Sequence, residues 1–176
     1  MNFHTAELQG QCFQDFMPGD VCFGCGSGNA AGLQIRSFWD GEEGVCVWQP
    51  DGRHQGWAGV TCGGIIATLI DCHCMATAMA TAVHREGRAL GTDPQYRFAT
   101  GRLDIRYLKP TPIDRVLELR ARVTDVRDER KFYLGCVLGA SGVKSVEASV
   151  VAVLVYRSDD PQAHEAQFGL GATRAL

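Results

Sequence analysis

The chain has 176 residues, 45% of them hydrophobic and 21% charged, with 17 basic and 20 acidic side chains for a formal net charge of −3. At roughly 150 residues per domain this is one domain, large enough to bury about two-thirds of its unfolded surface without a disulfide or metal staple. The composition excludes a disordered chain, the lack of a basic stripe argues against a nucleic-acid partner, and no apolar stretch reads as long enough to span a membrane.

The start, MNFHTAELQGQCFQDF, has no basic segment followed by an apolar run, so no secretory signal is expected. The eight cysteines are then expected as reduced thiols in a cytoplasm, not as a disulfide framework. Residues 1–21 read as a leader of weak pattern. Cys22-Phe23-Gly24-Cys25-Gly26-Ser27-Gly28-Asn29 is a Gly-rich turn region. Leu33 to Phe38 and Gly44 to Gln49 read as strands around the turn Asp40-Gly41, and Asp51 to Thr61 as a Gly-rich loop carrying Trp57. From Gly63 to about Arg85 there is no Pro, and Ala, Met, Leu and Ile recur on every side. This predicts one long helix, buried nearly all round and ended by Gly87 and Gly91.

Beyond the helix the pattern is strand-like. Arg102 to Lys109 alternates polar and apolar residues until Pro110 and Pro112 stop it. Val116 to Val123 alternates again, Lys131 to Leu138 is a third run, and Val143 to Tyr156 a fourth, after the turn at Gly139-Ala140-Ser141-Gly142. Residues 157–176 read as a polar tail. Short connections favour an antiparallel meander. A sheet covers an apolar helix on one side only, and its edges need cover, so a homodimer or a dimer of dimers is expected.

Gly59-Val60-Thr61-Cys62-Gly63-Gly64-Ile65-Ile66-Ala67-Thr68-Leu69-Ile70-Asp71 together with Leu103-Asp104-Ile105-Arg106-Tyr107-Leu108-Lys109-Pro110 resembles the hotdog-fold acyl-CoA thioesterases, most closely the PaaI-type branch of the 4-hydroxybenzoyl-CoA thioesterase-like superfamily. Cys22-Phe23-Gly24-Cys25-Gly26 with Asn29 and Gly32-Leu33 is similar to the same group, and the similarity spans residues 22–156. The resemblance implies an α+β hotdog fold, an antiparallel sheet of about five to six strands wrapped around one long central helix. It implies hydrolysis of an acyl-CoA to free acid and coenzyme A, with no metal or organic cofactor.

The residues support that chemistry on their own terms. Gly63 and Gly64 lie where loop becomes helix; the first amides of a helix lack partners, and glycine lets an oxygen approach them, which makes an oxyanion site. The alternative is that the Gly pair permits tight packing. Asp71 follows Gly64 by about two turns and shares its helix face with Thr68. A carboxylate in an apolar helix is expensive unless paired or used, so Asp71 is either a catalytic group or a hydrogen-bonded structural one. In the resembling family an acid here activates water or attacks the thioester directly. Thr100 sits where relatives carry a hydroxyl that holds the water, expected to work against Asp71 of the partner subunit. His54 and Gln55 stand where relatives place a polar contact to the thioester. Arg106 and Lys109 are candidates for the coenzyme A phosphates, and Trp57, Tyr96, Phe98 and Met75 for an acyl tunnel or plain core.

Two departures matter. The family usually carries His before Gly-Gly, and here it is Cys62, which opens a rival reading as a nucleophile paired with His54. It also keeps open a non-catalytic acyl-CoA-binding protein. Second, Cys22-x-x-Cys25 has zinc-knuckle spacing but no matching second pair. Cys72, His73 and Cys74 fan outward on a helix and cannot chelate one ion together, so no metal site is expected unless the two segments meet. His73 lies about 200° around the helix from Asp71 and is expected to pack on the opposite face; a hydratase, which needs a His–acid pair on one face, is disfavoured accordingly.

Overall fold

The computed structural model describes residues 10–17 and 21–160. Its organising element is α1, Gly63–Arg85, with the bounds that the sequence predicts. Every position from Cys72 to Ala80 is buried, so the middle of the helix is enclosed all round, as its uniformly apolar composition requires. By length and composition α1 could cross a membrane, contrary to the expectation that no stretch is long enough. The protein itself buries 72% of that apolar window, which is how a core helix behaves.

The sheet has six antiparallel strands. They are β1 (Phe38–Asp40), β2 (Glu43–Trp48), β5 (Tyr96–Tyr107), β6 (Leu117–Arg127), β7 (Lys131–Ala140) and β8 (Val143–Arg157), in the order β1-β2-β6-β7-β8-β5. A small separate ribbon, β3 (Gln55–Trp57) with β4 (Val60–Thr61), forms within the loop ahead of α1. Alternate residues Leu117, Leu119 and Ala121 on β6, Phe132, Leu134, Cys136 and Leu138 on β7, and Val146, Ala148, Val150 and Ala152 on β8 are buried and make the floor under the helix. At Gly44 on β2, the side chain of any other residue would run into Thr77 of α1, so a glycine lets sheet and helix backbones touch.

Three expectations change. The meander holds for β6-β7-β8 only: β5 pairs with β8, at the far edge from β1, so its neighbour in sequence is not its neighbour in space. Leu33 to Phe38 is a strand only from Phe38, because Gln34 takes a left-handed backbone (φ 52°) that no ladder accommodates. The leader also belongs partly to the domain. A 3-10 turn, Phe13–Phe16, inserts Phe13 completely into the core, edge-on to Trp39 at 4.8 Å, and its N–H donates to Ser37 O at 2.9 Å. The side of α1 away from the sheet is thus covered by the chain's own N-terminal segments. Of the residues assigned to the polar tail, Arg157 ends β8 and those beyond residue 160 lie outside the described residues.

Candidate active site

Helix α1 lies along β5 in the opposite sense. Tyr107 Oη donates to Gly63 O at 2.8 Å at one end, the Thr100 hydroxyl donates to Asp71 Oδ1 midway, and Tyr96 Oη donates to Glu86 Oε1 at 2.5 Å beyond the helix C-terminus. The candidate catalytic groups therefore occupy one strip between the first half of α1 and the stretch of β5 from Thr100 to Tyr107.

A bulge aims Thr100. Thr100 pairs with Ala152 and Arg102 with Val151, leaving Gly101 as an extra residue. Before it, Phe98 and Thr100 face the helix; after it, Leu103, Ile105 and Tyr107 do. Even positions give way to odd ones at the bulge. Without Gly101, either Thr100 or the Leu103-Ile105-Tyr107 set would point outward. A side chain at Gly101 would come within 2.8 Å of Val153, so the bulge also needs a glycine.

At the start of α1 the N-cap is Cys62, in extended conformation, and its thiol makes no capping bond. Ile66 N–H donates to Cys62 O at 3.1 Å, and among the described residues no acceptor meets the N–H of Gly63 or Gly64. Space around Gly64 is open, its nearest neighbour being Cys62 Sγ at 3.8 Å from where a Cβ would stand. An oxygen atom can reach this amide. With Cys62 at the N-cap, those donors are left free. Thr68 shares the face but donates its hydroxyl to Gly64 O at 3.0 Å within its own helix.

The loop candidates are largely occupied with the loop. His54 Nδ1 accepts from Asp51 N at 3.0 Å in a capping box, and the ring packs on Trp48 at 4.8 Å. Cys62 meets His54 only through a backbone bond, N–H to O at 2.8 Å, so the rival nucleophilic pair is not assembled. Gln55 accepts from Gly59 N at 3.0 Å and donates to Gly52 O at 3.2 Å, bracing the β3–β4 ribbon. Arg106 sits on the outward face of β5, bound to Glu147 at 2.6 Å, and does not converge with Asp71. Lys109 follows β5 at the end next to Gly63 and bounds an open depression with Pro110, Pro112 and Arg115. Thr100 bonds Asp71 of its own chain, not one across an interface.

The proposed acyl tunnel does not form within one chain. Trp57 is 82% exposed, Tyr96 and Met75 are core, and Phe98 packs edge-on against Phe132 at 5.0 Å. Roomy cavities also lie elsewhere, about 490 Å³ between Trp39, Thr81, His84 and Arg122, and about 560 Å³ between Val47, Gln49, Arg115 and Glu118, and neither contains a candidate residue; the depression beside Lys109, at about 530 Å³, does. The Asp71 strip is an open face, with Thr100, Gly63 and Gly64 exposed.

A profile of the thioesterase superfamily matches residues 58–137, the stretch from the helix-start loop to β7. A solved thioesterase superfamily protein from Shewanella loihica PV-4 is 34% identical, covering 68% of this chain and 89% of its own length, with a TM-score of 0.55. The chain belongs to the thioesterase superfamily. Its architecture is shared by more distant solved structures too. A hypothetical thioesterase from Streptococcus pneumoniae TIGR4, solved with coenzyme A, is 15% identical with a TM-score of 0.52 over 66% of this chain and 83% of its own. A Streptococcus mutans UA159 protein bound to acetyl CoA is 13% identical with a TM-score of 0.54 over 70% of this chain and 90% of its own. No curated protein matches the sequence.

Other cysteine and histidine placements are now fixed. His73 faces away from Asp71, as expected, and is fully buried. Its Nδ1 lies 2.8 Å from Ser37 Oγ and its Nε2 3.1 Å from Gly44 O. Burial holds its pKa down at about 4. Cys74 turns toward Cys136. Cys22, Cys25 and Cys72 do meet: their sulphurs all lie within 4.8 Å of one another. Sequence reasoning gave no role to Tyr107, which fastens the helix start to β5, nor to the bulge at Gly101. The Thr-Gly pair just before a clean alternating run was the available signal.

Proposed function

We propose that this thioesterase-superfamily protein hydrolyses acyl-CoA thioesters at the strip between α1 and β5. The observation that carries the reading is the Thr100–Asp71 hydroxyl–carboxylate pair on the same helix face as the free amide of Gly64. The thioester carbonyl oxygen would accept from Gly64 N–H at the positive end of α1, which stabilises the negative charge of the tetrahedral intermediate. Asp71 would take the proton of a water held by Thr100 as the water oxygen bonds to the carbonyl carbon. Collapse then breaks the C–S bond, and the coenzyme A thiolate leaves and takes up the proton, giving acid and free thiol. Direct attack by Asp71, through a mixed anhydride that water then opens, uses the same groups. In 18O-water, label appearing in Asp71 identifies the anhydride route, since it enters there only when water opens the anhydride at the Asp71 carbonyl.

The acyl-CoA ligand is supported by the coenzyme A and acetyl CoA bound to the two streptococcal fold relatives. Lys109, beside the helix start, is the better candidate for a phosphate, because Glu147 already holds Arg106. The open strip is half a cleft. A second copy of the chain, paired along the long edge strand β5, would close it and supply the acyl wall, as a homodimer or a dimer of dimers. Eight unbridged thiols favour a reducing compartment such as the cytoplasm.

Thiol release from a panel of acyl-CoAs tests the proposal. Saturable release from at least one member is expected. Tight acyl-CoA binding with no release from any would replace the hydrolase by a carrier or sensor.

A further inference from the structure

The Cys22–Cys25 turn and Cys72 of α1 are far apart in sequence and meet on the helix side away from the sheet. The Cys22 and Cys72 sulphurs are 3.8 Å apart, and all three sulphurs fall within 4.8 Å of one another. Around a tetrahedral zinc ion with bonds of about 2.3 Å, neighbouring sulphurs stand about 3.8 Å apart. A disulfide would need them at about 2.05 Å.

The surrounding backbone is built for this approach. Gly26 N–H donates to Cys22 O at 2.9 Å and closes the turn. Leu33 N–H to Phe23 O at 3.0 Å and Ile35 N–H to Gly24 O at 3.1 Å fasten it to the segment that follows. Gln34 adds side-chain bonds to Gly26 O at 3.0 Å and Asn29 O at 2.6 Å. At Gly24 any side chain would run into Cys72 Sγ, so the residue just before Cys25 must be glycine for the turn to reach the helix. The turn is thus held in place by bonds that do not involve the sulphurs, with its two thiols presented to a third.

We propose that Cys22, Cys25 and Cys72 form a three-thiolate site for a thiophilic divalent cation of the zinc type. Cys25 and Cys72 are buried and Cys22 stands at the surface, which leaves the fourth tetrahedral position to solvent. The thiol protons go to solvent as the ion binds. The ion would tie the N-terminal segment to the turn of α1 that carries Asp71, a structural task independent of thioester chemistry.

The test uses the full chain, purified under reducing conditions and passed through a desalting column. About one zinc per chain is expected, and cobalt should substitute with sulphur-to-metal charge-transfer absorption and the visible bands of a tetrahedral ion. Cys22→Ser and Cys25→Ser should each weaken zinc binding by more than about 100-fold, beyond what losing a supporting hydrogen-bond partner costs. Circular dichroism should stay unchanged in both variants, and Cys62→Ser should keep its zinc. In the wild type a chelator should lower the thermal midpoint, while in Cys22→Ser, whose altered thiol is exposed, it should not. Zinc content in the wild type no higher than in the Cys22→Ser, Cys25→Ser double variant would overturn the site. So would cobalt bound without the charge-transfer band, or a Cys22-to-Cys72 or Cys22-to-Cys25 disulfide with no metal uptake after reduction.

Discussion

His73 makes the stability of this fold depend on pH, and the hydrogen bonds around it say why. Gly44 O can only accept, so His73 Nε2 carries the hydrogen of their 3.1 Å contact. Nδ1 is then the acceptor and receives the Ser37 hydroxyl at 2.8 Å, while Ser37 Oγ itself receives Gln14 Nε2–H at 2.9 Å. Gln14 Oε1 accepts in turn from Ser37 N–H at 2.8 Å. Every donor in this buried chain has an acceptor only while the imidazole is neutral. A proton on Nδ1 would confront the Ser37 hydroxyl and leave its hydrogen without a partner, on top of placing a charge where water cannot reach it. Desolvation accordingly lowers the His73 pKa from 6.5 to about 4. The unfolded chain takes the proton first, so acid favours unfolding: stability is unaffected well above pH 6.5 and falls between 6.5 and 4. Over that interval, at about 1.4 kcal/mol per pH unit, the loss is about 3 kcal/mol, of which about 2 falls between pH 7 and 5. Against a domain stability of about 5–15 kcal/mol that is readily measured. Urea unfolding followed by circular dichroism at pH 7, 6 and 5 gives the slope, and His73→Gln gives the reference. The variant should be less stable at pH 7 by about 1–3 kcal/mol and should lack the histidine part of the slope. An equal slope in the two proteins, or a His73 ring that titrates near 6.5 by NMR, would refute the reasoning.

Two further outcomes follow from other contacts. Arg120 has only 6% of its side chain exposed and bonds Glu118 at 2.6 Å, Asp40 at 2.8 Å and Glu43 at 3.1 Å; Arg120→Met should cost about 2 kcal/mol or more in urea unfolding, because Glu118 is nearly buried and loses its counter-charge. Tyr107→Phe removes the hydroxyl that tethers Gly63; thiol release should slow by about 3- to 10-fold, with thermal stability within about 1 kcal/mol of wild type, and an unchanged rate would show that the tether does not position the helix start.

What the sequence revealed depended on how local the signal was. Helix α1 was legible to its last residue, because a proline-free run of apolar residues lies between Gly63 and Gly87, where the latter takes a left-handed φ of 67°. Strands β6, β7 and β8 were legible from alternation, since one face packs on the helix. The first half of β5 was not: the bulge at Gly101 breaks the period, and a period is all that a sequence displays of a strand. Asp71, Thr100 and the Gly pair could be named in advance, and the structure brings Asp71 and Thr100 into contact. Arg106 could not be sorted by residue type, because only the register of β5 with β8 shows that it faces outward onto Glu147. The meeting of Cys22 and Cys25 with Cys72 was invisible for the same reason, since it depends on a turn and a helix packed together across a long stretch of chain.

The rate of thiol release by Asp71→Asn, measured beside wild type on the best acyl-CoA of the panel, bears most directly on the account. The amide keeps the shape and a bond to Thr100 but cannot take a proton from water or attack a carbonyl, so kcat should fall by at least about 100-fold with the circular dichroism spectrum unchanged. A well-folded Asp71→Asn protein that turns over at the wild-type rate would contradict it.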